Sequence, residues 1–101
     1  MRERFNRGKY WERMLRGEFK PVVIDQGNPQ PDVKAKEPLG TVSQTVSYRD
    51  VHNDEVLRVH QYLRPDGSLG GSGMPDPKRL FENGTFYRLV KKSKLKTYPV
   101  Q

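Results

Sequence analysis

Between Thr41 and Tyr48 the chain alternates, with Val42, Gln44, Val46 and Tyr48 on one side and Thr41, Ser43, Thr45 and Ser47 on the other. That two-residue period predicts a half-buried antiparallel strand. Leu57, Val59 and Leu63 repeat the alternation over residues 56–64, and the polar segment 49–55 reads as the turn that joins the two into a hairpin. A second hairpin is expected around Asn83-Gly84, flanked by 78–82 and 85–90, because both turn residues tolerate the positive φ that a two-residue connection requires. Pro21-Val22-Val23-Ile24 is a further strand-type run, with proline first, where its missing N–H costs the sheet least.

Ahead of these strands, Trp11, Met14 and Leu15 fall at i, i+3 and i+4 and share one face of a helix predicted over residues 8–16. Asn6 is placed to cap its start and Gly17 to end it. The expected architecture is α+β, mainly β: a small antiparallel sheet of four or five strands from two hairpins, with one N-terminal helix packed on it. Segments 26–38 and 64–77 carry three prolines each, the second also four glycines; they read as a Pro-rich arm and a Gly/Pro-rich loop. A single domain is expected, with an ordered core over about residues 8–91 and a basic tail over 91–101.

Charge sharpens this picture. The 101 residues carry a net +7 with a mean hydropathy of −0.94. Residues 1–20 contribute +4 and residues 78–101 contribute +6, while the middle is −3. A chain basic at both ends attracts polyanions if those ends share one field. Cysteine is absent, which removes disulfide and thiolate-metal frameworks. No apolar run reaches the ~20 residues of a membrane span, nor does the N-terminus resemble a signal peptide, so a cytoplasmic chain with no membrane partner is expected.

Motifs for nucleotides fail on their own terms. Gly73 is followed by Met74-Pro75 rather than Lys-Ser/Thr and a helix, and Gly71-Ser72-Gly73 lacks the third glycine of a dinucleotide fingerprint; no cofactor is expected. His52 between Asp50 and Asp54 matches no recognised metal-ligand spacing and sits in a polar turn. His60 lies between cations and is the one candidate general base, for a metal-independent ribonuclease; no second acid/base group is evident beside it.

What remains is cationic and aromatic residues interleaved. Arg58, His60, Tyr62 and Arg64 are expected on one strand face, with Arg88 and Phe86 on the neighbouring hairpin and Lys78, Arg79, Lys91, Lys92, Lys94 and Lys96 adding positive field. The expected function is non-catalytic binding of nucleic acid or a ribonucleoprotein assembly. The rival expectation is a protein-interaction module whose basic surface meets an acidic protein.

Overall fold

A computed structural model describes residues 1–27, 37–91 and 94–99. Six antiparallel strands cross one sheet in chain order: β1 (Lys20–Gln26), β2 (Val42–Arg49), β3 (Glu55–Leu63), β4 (Asp76–Glu82), β5 (Thr85–Lys91) and β6 (Lys94–Pro99). Two short helices, α1 (Arg2–Arg7) and α2 (Tyr10–Leu15), precede them. The sheet is thus larger than the four or five strands expected, and the single helix is two. Residues 94–99, expected within a basic tail, form β6 against β5, with Leu95 opposite Leu89 on one face and Tyr98 opposite Phe86 on the other. Residues 28–36 of the Pro-rich arm lie outside the described residues.

The helix divides at Gly8-Lys9, where Lys9 takes the left-handed conformation with φ 54°. Phe5 and Tyr10 are both buried, their rings stacked with centroids 6.2 Å apart. Five positions along one continuous helix would turn them about 140° away from each other at 3.6 residues per turn. The break brings both to the same core. Gly8 is required there, since a Cβ would meet the Tyr10 ring at 2.3 Å. Lys9 therefore caps α2, and Asn6 lies inside α1.

Trp11 and Leu15 compete with Tyr10 and Met14 for the buried stripe, since both pairs have i, i+4 spacing. Tyr10 and Met14 are buried, Trp11 packs on the flank, and Leu15 is 67% exposed, against the expectation that it shares the core face. Gly17 ends α2 as expected, at φ 75°, with its N–H on the Met14 carbonyl and the Glu18 N–H on Arg13. That pair of bonds satisfies carbonyls the helix would otherwise leave bare.

Both expected hairpins are present, β2–β3 and β4–β5, the latter turning at Asn83 (φ 50°) and Gly84 (φ 76°). Register carries the alternation into layers. Tyr48, Leu57, Leu80 and Tyr87 lie opposite one another across β2 to β5, with Val46 and Val59 in the next row. Val46, Leu57, Val59 and Leu80 are buried against Phe5, Tyr10, Met14 and Phe19. The helices therefore cover this face, and side chains of opposite parity occupy the other.

Tyr10 ties the layers together, donating its hydroxyl to Glu82 Oε2 at 2.9 Å. Burial, then the Glu82 hydrogen bond, push its ionisation from 10.0 up to about 12. The folded state thus favours the neutral phenol, a contribution complete below pH 10 and lost as pH rises from 10 to 12. In Tyr10→Phe, the thermal midpoint should fall less steeply across that window than in the wild type. Parallel curves would mean that Tyr10 does not set the alkaline limit.

Candidate nucleic-acid interface

The face opposite the helices is organised in rows that run across the strands. Arg58 lies opposite Arg79, Arg79 opposite Arg88, and Arg88 opposite Lys96. Adjacent strands are about 4.8 Å apart, so these cations form one file across β3 to β6. The next row on one side is aromatic: Phe81 opposes Phe86, which opposes Tyr98. Their rings stack with centroids 4.6 Å and 5.8 Å apart, and the Arg79 guanidinium lies 6.0 Å from the centre of Phe86. On the other side of the cation row stand His60 and Tyr62, in an edge-to-face pair at 5.0 Å.

The free charges in that file are set by what is not paired. Glu55 holds Arg58 at 3.0 Å and also accepts the Ser47 hydroxyl, which explains why Ser47 is fully buried on an otherwise open face. Arg79, Arg88 and Lys96 have no carboxylate partner among the described residues, and Arg88 and Lys96 are exposed. Like charges directly opposite on a sheet destabilise it. An incoming polyanion removes that repulsion.

Other expected contributors are engaged elsewhere. Arg64 sits just past β3, where its Nε donates to Glu37 at 2.8 Å. Glu37 is only 4% exposed, also accepts the Gly71 N–H at 2.8 Å, and crowds Gly70 so closely that a Cβ there would meet it at 2.6 Å. Arg64 and then Gly71 hold the Glu37 carboxyl below its usual range. This pair fastens the glycine-rich loop to the end of the sheet. Lys78, the extra residue of a bulge opposite Arg58 and Val59, pairs with Asp76 at 2.9 Å. The backbone of Lys91 closes β5, and Lys92 lies outside the described residues.

Four of the N-terminal cations are also paired. Arg2 meets Asp76 at 3.3 Å, Arg4 meets Glu82 at 3.5 Å and lies 4.2 Å over the Tyr87 ring, and Arg13 and Arg16 both hold Glu18. Arg2 and Arg4 thus dock α1 on β4, and Arg13 and Arg16 are tied to the end of α2. At Arg79, Arg88 and Lys96, positive charge without a carboxylate beside it lines up across β4 to β6.

His60 shares a 2.7 Å hydrogen bond with Ser43. Burial first, then the Lys78 cation, lower its pKa below 6.5, and Asp76 opposes them. Asp76 faces it in register but already holds Arg2 and Lys78. At the β2–β3 turn, one Asp50 carboxylate oxygen accepts the N–H groups of His52 and Asp54, so Asp50 shapes the turn. No cluster of three metal-ligating side chains occurs among the described residues.

The sequence reading named Arg58, Arg79 and Arg88 without seeing that they form a file, and it passed over Phe81 and Tyr98. Phe81 was within reach, because a two-residue Asn-Gly turn fixes Phe81 opposite Phe86. Tyr98 was not, because nothing in 91–94 announces a turn. Among the described residues no helix is long and apolar enough to cross a membrane. No protein-family model, curated protein sequence or solved structure matches the chain, so its own geometry carries the functional reading.

Proposed function

We propose that the helix-free face of the sheet binds single-stranded nucleic acid, with phosphates along Arg79, Arg88 and Lys96 and bases on Phe81, Phe86 and Tyr98. The observation that carries this reading is the adjacency of the two rows. Alternate residues on a strand are separated by roughly 6.6 Å, an offset suited to a strand whose backbone follows one row while its bases reach the next. An acidic protein surface would be held by the same cations. What favours nucleic acid is the aromatic row, because stacking on an exposed ring is available to every base and to few acidic side chains.

Fluorescence anisotropy with a short single-stranded RNA tests it. Tyr98 is 42% exposed, so Tyr98→Ala removes a stacking surface with little loss of packing. It should weaken binding by about 1–3 kcal/mol without changing the dependence on salt. Binding that falls with salt but ignores Tyr98 would mean that cations alone attract polyanions. An absence of binding near physiological salt would overturn the proposal and favour an acidic protein partner.

A further inference from the structure

The aromatic row does not end on a flat surface. Beyond Phe81 it opens into a groove of about 760 Å³ under the β2–β3 turn, within the size range of pockets that hold small ligands. Phe81 forms one wall, Arg49 and Arg58 supply guanidinium groups, and Asp50, Asp54 and Glu55 supply carboxylates. Phe81 is among the large apolar side chains that remain exposed.

We infer that this groove is a base-reading pocket for guanine at one end of the nucleic-acid path, an inference that rests on the function proposed above. The chemistry selects among possible occupants. Three carboxylates against two guanidinium groups, Arg58 already held by Glu55, repel a phosphate, so the groove differs in kind from the unpaired cations of β4 to β6. A planar base stacks on Phe81 and fits the polar groups only if its edges match them. Guanine alone among the common bases offers two adjacent N–H donors, N1–H and the N2 amino group, to one carboxylate, and two adjacent acceptors, O6 and N7, to a guanidinium. Cytosine and adenine each offer an amino donor but no adjacent N–H, and uracil offers a single N–H.

Not every polar group in the groove is equally available. One Glu55 oxygen is taken by Ser47 and Arg58, and one Asp50 oxygen by the turn N–H groups. The Asp54 side chain has no hydrogen-bond partner among the described residues and is exposed, which makes it the carboxylate to substitute.

The test uses the full chain and four RNA oligonucleotides of equal length, all uridine except for one central position that is G, A, C or U. The guanine-containing oligonucleotide should bind about tenfold more tightly than the other three, and Asp54→Asn should reduce that preference to less than about threefold. Backbone amide shifts with guanosine monophosphate should concentrate at 49–58 and at Phe81, whereas uridine monophosphate should leave them unmoved. If all four oligonucleotides bind with salt sensitivity but within twofold of one another, the guanine pocket is overturned while the proposed function stands. If none binds, both fall together.

Discussion

Replacing Arg79 and Arg88 together with glutamine is expected to weaken single-stranded RNA binding by at least about tenfold while raising the thermal midpoint of the free protein. The two effects have opposite signs because they share one cause. Arg79 and Arg88 face each other directly, with Arg58 and Lys96 beyond them, and neither has a carboxylate partner among the described residues. Like charges in directly opposed sheet positions cost roughly 0.2–1 kcal/mol per pair. Removing both relieves the Arg79–Arg88 and Arg88–Lys96 contacts at once.

The same substitution should flatten the plot of log affinity against log salt by about 1.4, since each phosphate contact on a single strand contributes about 0.7. Anisotropy over a salt series and a thermal melt of the same two proteins decide the matter. A variant that melts lower and binds equally well would show these arginines to be structural. A variant that loses affinity without any change in salt slope would show that they do not touch phosphate.

Leu57→Ala is expected to cost about 2–5 kcal/mol, a large share of the roughly 5–15 kcal/mol that holds a domain of this size together. Leu57 is fully buried, with Tyr48 and Leu80 opposite it in register and the helix aromatics above. Its loss leaves a cavity where the two layers meet. Leu15→Ala is the companion measurement: at 67% exposure it should change stability by no more than about 0.5 kcal/mol. Chemical denaturation of both variants reads the contrast. Comparable losses in the two would place Leu15 in the core after all and return α1 and α2 to one continuous helix.

The strands were legible because their signals are local. Alternation over 41–48 and 56–64 states which residues share a face, and Asn83-Gly84 states where the second hairpin turns and in which register. The helix was only half legible. Tyr10 with Met14 and Trp11 with Leu15 have the same spacing, and nothing in the local pattern ranks one stripe above the other. The choice is made by Phe5 and Phe19, which join Tyr10 from either side only after Lys9 bends the chain.

Charge was legible as an amount and misleading as a location. The sequence places positive groups at both ends of the chain, and both ends looked equally available. In the fold, Arg13 and Arg16 meet Glu18, five and two residues away, while Arg2 and Arg4 reach across the layers to Asp76 and Glu82. Arg64 and Lys78 are likewise neutralised by Glu37 and Asp76. The long-range pairings depend on which elements pack together, so no count along the chain reveals them.

By itself, then, the sequence determined the antiparallel sheet, its first two hairpins and the parity that separates an apolar face from a cationic one, because a strand's two-residue period is a property of neighbouring residues. The tertiary structure decided which face the helices cover, which cations keep their charge free, and that Arg58, Arg79, Arg88 and Lys96 stand in one file beside Phe81, Phe86 and Tyr98. Those six strand positions and their neighbour on β3 come from four different strands, and only the register of the assembled sheet brings them side by side.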